Sequence, residues 1–165
     1  TEVKGASKVP VIVVLENIRS AYNVGSVFRT ADAFLLESVY LVGYTAFPPH
    51  KEIRKTALGA EESVNWKHFK TMSEAIDAIH QLGYALVAAE QTDRSVPLHL
   101  WEEPASPGLA LVMGNEVTGV EQDTLEACEH VIEIPQLGMK HSLNIATAAG
   151  VVLWEIVRKK ITGKG

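Results

Sequence analysis

Short apolar runs alternate with helical patterns along the chain. Five runs rich in Val, Ile, Leu and Ala predict strands at Pro10–Leu15, Ser38–Val42, Tyr84–Ala89, Leu109–Met113 and His130–Ile134. Apolar residues at helical spacing predict five helices, at Val24–Leu35, His50–Leu58, Ser73–Leu82, Gln122–Cys128 and Ser142–Lys160. Strands that are apolar throughout and are separated by helices are typical of a mainly parallel sheet flanked by helices. The predicted fold class is therefore α/β.

Three of the predicted strands are followed by loops of unusual composition. The loops span residues 16–25, 114–119 and 135–142, and each combines glycine with amide, hydroxyl or charged side chains just before a helix. In an open parallel sheet, ligands bind outside the carboxyl ends of the strands. We therefore expect the three loops to meet at one edge of the sheet and to form the functional site.

Common phosphate-binding and nucleophile motifs do not occur in these loops. Gly114 and Gly119 have the spacing of a P-loop, but Val120 and Glu121 stand where a lysine and a hydroxyl residue are required. Ser142 lacks the Gly-x-Ser-x-Gly elbow of a catalytic serine. Taken singly, the polar residues have structural interpretations: Ser142 and Asn23 as helix N-caps, and Arg29 as an exposed or paired helix residue. Only their joint placement indicates a site.

The composition is that of a globular domain. The chain has 165 residues, 47% hydrophobic and 21% charged, so residues 1–165 are interpreted as a single domain. The only cysteine, Cys128, excludes an internal disulfide and makes a poor metal site, and we expect a buried, reduced thiol. Since no apolar stretch approaches the roughly 18 residues of a membrane span, a cytoplasmic protein is expected.

The net charge of −5 disfavours nucleic-acid binding over the whole surface, because phosphate contacts require basic side chains. Basic residues nevertheless cluster at Lys51, Arg54 and Lys55, and again in residues 158–164. Either cluster also fits an ordinary solvated helix face. RNA binding by a local patch stays open at this point.

In order and spacing, the three loops resemble the three motifs of the SpoU/TrmH branch of the SPOUT RNA 2′-O-ribose methyltransferases. The first motif, residues 17–31 (NIRSAYNVGSVFRTA), carries Asn23, Gly25 and Arg29. The second, residues 111–119 (LVMGNEVTG), carries Gly114, Glu116 and Gly119, and the third, residues 134–148 (IPQLGMKHSLNIATA), carries Pro135, Gly138, Ser142, Leu143 and Asn144. The resemblance runs from about Val9 to Arg158. Departures occur at Ser26, Gln136 and Ala146, where many relatives have Ala, Met and Ser.

The resemblance implies a C-terminal segment that threads through a loop to form a deep trefoil knot, with S-adenosyl-L-methionine bound in the knot. Main-chain groups would hold most of this cofactor. The residues implied to bind it are Ala88, Ala89, Glu90, Met113, Gly114, Gly119, Ile134, Gly138, Ser142 and Leu143. Glycine at 114 and 138 is expected to allow close approach of the backbone to the ligand.

The resemblance further implies methyl transfer to a ribose 2′-hydroxyl of transfer or ribosomal RNA, at a homodimer interface and without a metal. Arg29 and Asn23 are expected near the cofactor of the partner subunit. A guanidinium, with a pKa above about 12, is a poor base at neutral pH, so Arg29 would stabilise the developing alkoxide and hold the adjacent phosphate. The residues expected to orient Arg29, the hydroxyl and the methionine moiety are Asn23, Glu116, Ser142 and Asn144.

The predicted RNA contacts are Arg29 with Lys51, Arg54 and Lys55, and the tail at residues 158–164 is a second candidate. Three alternatives remain open. The chain could be an enzyme of the same superfamily that methylates another RNA position, a non-catalytic dimer that binds RNA or the cofactor, or an α/β domain with an unrelated small substrate. Analysis of the methylated product separates the first alternative, and cofactor binding and turnover separate the others.

Overall fold

The strands of residues 7–162, the part of the chain that the computed structural model describes, form one parallel sheet. They are Val9–Glu16 (β1), Leu36–Val42 (β2), Trp66–Phe69 (β3), Ala85–Ala89 (β4), Val96–Pro97 (β5), Leu109–Met113 (β6) and His130–Glu133 (β7). Their spatial order is β3-β2-β1-β6-β4-β7-β5, and all neighbouring strands are parallel. The predicted α/β class with a mainly parallel sheet is confirmed.

Helices connect the strands and cover both faces of the sheet. They are Ala21–Ala33 (α1), Lys51–Ala57 (α2), Ala60–Ser63 (α3), Met72–Gln81 (α4), Gln122–Ala127 (α5) and Ile145–Thr162 (α6), with a short 3-10 helix at Leu98–Leu100. The five predicted helices and five predicted strands are all present, with ends that differ by at most three residues.

Two apolar clusters explain why the central strands show no polar alternation. Successive side chains of a strand point to opposite faces of the sheet. From β1, Val11, Val13 and Leu15 therefore pack in one cluster with residues of α1 and α6, whereas Ile12 and Val14 pack in the other with residues of α4 and α5. All five side chains are fully buried. Because this strand is buried on both faces, its apolar residues follow one another without polar residues between them.

Both N-cap interpretations are wrong. Helix α1 begins at Ala21, and its cap is Ser20, whose hydroxyl accepts from the Asn23 backbone N–H at 3.2 Å. Helix α6 begins at Ile145, and Asn144 Oδ1 accepts from the N–H groups of Ala146 (2.8 Å) and Thr147 (3.3 Å). A capping side chain must stand directly before the first helical residue to reach these donors, so Asn144 rather than Ser142 is the cap of α6.

Four short elements have no counterpart in the sequence prediction: β3, β5, α3 and the 3-10 helix. Strand β3 is an edge strand with exposed Lys67 and His68 between two half-buried aromatic residues, so it lacks an apolar run. Strand β5 has two residues and α3 has four, which is too short for either periodicity to be visible.

None of the helices described within residues 7–162 combines the length and the apolar character needed to cross a bilayer. The deep trefoil knot stays a prediction of the family resemblance.

Candidate active site

A cleft of about 650 Å³ opens at the carboxyl ends of β4, β6 and β7. Its walls are the ends of these strands, the turn at residues 114–119 after β6, and the loop at residues 134–144 before α6. Its volume is in the range typical of sites for small molecules, roughly 300–1,000 Å³. The second and third predicted loops therefore meet at one edge of the sheet. We call this space the cofactor cleft.

Eight of the ten residues predicted to bind the cofactor line this cleft, namely Ala89, Glu90, Met113, Gly114, Gly119, Ile134, Ser142 and Leu143. Ala88 does not, because it is fully buried within β4, between Val112 of β6 and Val131 of β7. Gly138 also lies outside the lining, in the exposed part of the loop, where an added Cβ would meet open space. Nothing in the described chain requires glycine at that position.

The close backbone approach at Gly114 is to the protein's own turn. A Cβ at Gly114 would collide with Val120 N and with the carbonyl of Gly119. Gly119 has a left-handed φ of 78°, and a Cβ there would collide with the Glu90 carboxylate. Glu90 Oε1 in turn accepts the Val120 N–H at 2.9 Å. Both glycines therefore let the turn close tightly against the end of β4, a structural reason that the sequence analysis did not foresee.

Glu116 ties this turn to the start of α1. Its Oε1 accepts the Arg19 N–H at 2.9 Å, and its Oε2 accepts the Ser20 N–H at 2.9 Å and the Asn23 side-chain amide at 3.4 Å. Burial by itself would raise the pKa of the Glu116 carboxyl, but these donors outweigh it and lower the pKa below its ordinary value of 4.5. The carboxylate is therefore ionised at neutral pH and is a weak base. We call Glu116 an anchor because its hydrogen bonds hold the first loop against the turn after β6.

Asn23 and Asn144 extend this anchor to the third loop. Asn144 Nδ2 donates to Asn23 Oδ1 at 3.2 Å, while Asn144 Oδ1 caps α6. Glu116, Asn23 and Asn144 thus form one hydrogen-bonded chain that joins all three predicted loops. Asn23 is held at the cleft of its own subunit by these bonds. Ser142, also predicted to be catalytic, is exposed in the lining of the cleft.

Two further amides shape the site, and the sequence analysis does not single them out as functional. Asn115 Oδ1 accepts the N–H groups of Val117 (2.8 Å) and Thr118 (2.9 Å), which closes the turn after β6. Gln136 Oε1 accepts the Leu143 N–H at 2.9 Å and holds the two ends of the third loop together. Asparagine at the first position of a turn is a recognisable signal, so Asn115 could have been found from sequence. Gln136, at a departure from the family pattern, could not.

Arg29 lies outside the cofactor cleft. It follows Asn23 by six residues on α1, which is about 9 Å along the helix axis and about a third of a turn around it. Its exposed side chain lines a separate cleft of about 490 Å³ between α1 and α2, together with Lys55 and Thr56. Within residues 7–162 it makes no hydrogen bond or ion pair. We call this second space the α1–α2 cleft.

The predicted RNA contacts lie on or beside the α1–α2 cleft. Lys51 and Arg54 are exposed on α2, and the Lys55 ammonium lies 6.0 Å from the centroid of the Tyr22 ring. In the second candidate region, Arg158 pairs with Glu155 at 2.9 Å, and residues 163 and 164 lie outside the described residues. Of the three basic residues on α2, Lys55 therefore shares the cleft with Arg29.

Cys128 is buried, as predicted, and lies outside the cofactor cleft. Burial raises the pKa of its thiol to about 12, so the reactive thiolate is scarce at neutral pH. Among the described residues, His, Cys, Asp and Glu side chains do not gather in groups of three or more that could hold a metal ion.

Comparison with known proteins places this geometry in a family. Residues 10–154 match the sequence profile of the SpoU rRNA Methylase family. The 23S rRNA (guanosine-2'-O-)-methyltransferase RlmB of Vibrio cholerae is 30% identical over 157 residues, which cover 94% of this chain and 62% of that protein. This chain thus spans about three fifths of the length of the curated relatives that it matches.

Solved structures agree with this match. An AdoMet-bound rRNA methyltransferase from Sinorhizobium meliloti superposes with a TM-score of 0.85 at 27% identity, over 94% of this chain and 58% of that one. The TrmH/SpoU tRNA modifying enzyme of A. aeolicus gives a TM-score of 0.81 at 26% identity, over 93% of this chain and 77% of that one.

Proposed function

Since the chain belongs to the SpoU rRNA methylase family, we propose that it transfers a methyl group from S-adenosyl-L-methionine to a ribose 2′-hydroxyl of RNA. One observation carries the proposal. Asn23 hydrogen-bonds to both Glu116 and Asn144, and these two bonds join the three family motifs beside a cleft of cofactor size. A cleft with an unrelated ligand would not need three separate loops to be locked in this arrangement.

The lining of the cofactor cleft fits S-adenosyl-L-methionine in its chemistry. Partly exposed Ile134 and exposed Leu143 offer apolar surface for an adenine ring, and the Glu90 carboxylate offers an acceptor for hydroxyl or amino groups. The S. meliloti relative is described with AdoMet bound. When bound, the cofactor supplies an electrophilic methyl group on its sulfonium, a chemistry that needs alignment with a nucleophile rather than a metal.

A homodimer would complete the site. The described part of α6 exposes three large apolar side chains, Val151, Trp154 and Ile161. By their spacing these residues share one face of the helix, and the Trp154 ring centroid lies 5.8 Å from that of Phe34, at the end of α1. Exposed apolar patches of this kind mark interfaces, and a symmetric dimer buries the same patch on both subunits. We expect sedimentation to show a dimer and Trp154→Glu to yield a monomer; an unchanged dimer would contradict this interface.

Arg29 is the proposed catalytic residue, acting at the cofactor cleft of the partner subunit. Its guanidinium would stabilise the alkoxide that develops on the 2′-oxygen and would hold the neighbouring phosphate. It would not remove the proton, since its pKa is too high for a base at neutral pH. Asn23, Glu116 and Asn144 would position the motif loops, and Ser142 would contact the cofactor.

RNA would be held by phosphate contacts from Lys51, Arg54 and Lys55. The V. cholerae relative is named for ribosomal RNA and the A. aeolicus relative for transfer RNA, and we propose one of these two classes as the substrate. Residues 1–165 would then form one methyltransferase domain, and the enzyme would work in the cytoplasm with its RNA substrate.

Calorimetric titration with S-adenosylmethionine and S-adenosylhomocysteine tests the proposal first, followed by methyl transfer to total transfer and ribosomal RNA with nucleoside analysis. We expect saturable binding and a 2′-O-methylated nucleoside. A methylated base would point to another SPOUT activity. Binding without transfer would indicate a non-catalytic dimer, and absence of cofactor binding would overturn the proposal.

A further inference from the structure

Tyr44, just after β2, has an exposed aromatic ring whose hydroxyl group is hydrogen-bonded to the protein. The residue is 63% exposed, yet its hydroxyl accepts from Asn115 Nδ2 at 2.7 Å. Its backbone N–H donates to Asn17 Oδ1 at 3.3 Å. A surface tyrosine ordinarily keeps its hydroxyl in water, so this ring is ordered by the protein while its faces remain accessible.

The group that holds Tyr44 belongs to the wall of the cofactor cleft. Asn115 is only 9% exposed, lines the cleft and directly precedes Glu116. Its four hydrogen bonds are all made: Oδ1 accepts two N–H groups of its own turn, and Nδ2 donates to the Asn17 carbonyl as well as to Tyr44. The ring is therefore fixed beside the cleft, and less conformational freedom remains to be lost when a ligand stacks on it.

A second exposed aromatic ring follows three residues later. Phe47 is 44% exposed and packs on Trp66 (5.9 Å, interplanar angle 27°) and on His68 (4.5 Å, 42°). His68 Nε2 lies 2.9 Å from the Gly43 carbonyl, directly before Tyr44. Three residues of chain span at most about 11 Å, which limits the distance between the Cα atoms of Tyr44 and Phe47.

The segment that carries these rings has a charge that suits a polyanion. Residues 44–70 contain five basic and three acidic side chains, a local excess of positive charge on a chain whose net charge is −5. Lys67 and Lys70 are exposed on and just after the edge strand β3, and Lys51 is exposed at the start of α2. Aromatic faces beside basic side chains are the usual means of binding unpaired nucleotides, since every base has a face that can stack.

We propose that Tyr44, with Phe47 as a second position, is a stacking platform for unpaired bases of the RNA substrate beside the reacting ribose. The inference rests on the proposed function, which makes RNA the ligand, and it adds that the bases bound beside the site are unpaired. A duplex hides its base faces, so the platform selects loops and single strands.

Fluorescence anisotropy with a labelled single-stranded oligoribonucleotide of mixed sequence, and with the same strand annealed into a duplex, tests the platform without requiring turnover. We expect the wild-type chain to prefer the single strand. Tyr44→Ala should weaken single-strand binding by about ten-fold and leave duplex binding unchanged, because base stacking on one aromatic side chain contributes on that order. Tyr44→Phe should retain most of the preference, since it keeps the ring.

Leu100→Ala is the matched control, because Leu100 is 65% exposed but lies in the 3-10 helix that follows β5, at the opposite edge of the sheet from β3. It should bind both RNAs as the wild type does. Equal losses for single strand and duplex in Tyr44→Ala, no loss at all, or a wild-type chain without single-strand preference would overturn the platform. Failure of the proposed function shows separately, as a wild-type chain that binds no S-adenosylmethionine or transfers no methyl group.

Discussion

The cofactor cleft and the α1–α2 cleft differ in how completely one chain builds them. In the cofactor cleft, the loops are closed by hydrogen bonds from Glu116, Asn144 and Gln136, and the turn after β6 is too tight for a side chain at Gly114. In the α1–α2 cleft, Arg29 is exposed beside Lys55 and, within the described residues, has no partner. A single chain therefore forms a cleft of small-molecule size, whereas the Arg29 guanidinium in the second cleft has no partner within residues 7–162.

This difference divides the motif residues into two groups with separate tasks. The first group consists of Glu116, Asn23 and Asn144. Their polar groups hydrogen-bond to one another and to backbone N–H groups, so we assign these residues a positioning role. Arg29 keeps its guanidinium available for a substrate, as a residue that stabilises a developing negative charge must. The variants below are chosen to separate the two tasks.

The largest effect is expected for Arg29→Ala. Loss of a charge that stabilises the developing alkoxide should lower kcat by about 10² to 10³-fold, while calorimetry should show unchanged affinity for S-adenosylmethionine. Lys55→Ala, in the same cleft, is the control: it should raise the KM for RNA with little change in kcat. Near-native turnover of Arg29→Ala would contradict the assigned role, and lost cofactor binding would show that the two clefts are not separate.

Ala148→Leu should have a smaller effect and the opposite pattern. Ala148 lines the cofactor cleft from α6, and leucine is a good helix former that would fill part of the space without unfolding the helix. Affinity for S-adenosylmethionine should fall by about ten-fold, a loss that corresponds to roughly 1.4 kcal/mol of binding free energy. Thr147→Leu, its exposed neighbour on the same helix, should bind the cofactor normally. Equal affinities of both variants would mean that the cofactor binds elsewhere.

Glu116→Gln should have the smallest effect and should act on stability. Because the folded-state pKa of Glu116 is lowered, its carboxylate stabilises the fold above the ordinary pKa of 4.5, and this contribution is lost as the pH falls through the folded pKa. Urea unfolding should show a deficit of about 1 kcal/mol for the variant at neutral pH, shrinking in acid. Exposed Glu102, changed to Gln, should show no such deficit. If the loss of unfolding free energy in Glu116→Gln did not depend on pH, the charge of the Glu116 carboxylate would not be its cause.

The sheet could be predicted from sequence because its central strands are buried on both faces. Five apolar runs without polar alternation leave few alternatives to parallel strands covered by helices. The edge strands could not be predicted because they lack a buried apolar run. Strand β3 carries exposed Lys67 and His68, and β5 is only two residues long. Burial produces the pattern, so elements with little burial leave none.

The site could be predicted only as a set of loops. Their order after the strands correctly predicted that the second and third loops line one cleft, but the hydrogen bonds within and between the loops depend on distances that spacing does not supply. Ser142 and Asn144 are both good capping residues, and only the start of α6 at Ile145 decides between them. Likewise, the sequence predicts Arg29 and Asn23 on one helix but does not show that they differ in their contacts. Asn23 is hydrogen-bonded to another motif residue, whereas the Arg29 side chain has no partner within residues 7–162.

Activity of a mixed dimer tests most directly whether Arg29 serves the cleft of its partner. Arg29→Ala and Ala148→Leu chains, carrying different affinity tags, would be co-expressed and purified as heterodimers. The rates would be measured at an S-adenosylmethionine concentration well below its Kd, where the Ala148→Leu homodimer should keep only about a tenth of the wild-type rate and the Arg29→Ala homodimer almost none. If Arg29 acts across the interface, the heterodimer contains one complete site out of two and should show about half of the wild-type rate. If Arg29 acts within its own chain, neither subunit is complete, and a heterodimer no faster than the Ala148→Leu homodimer would contradict the account.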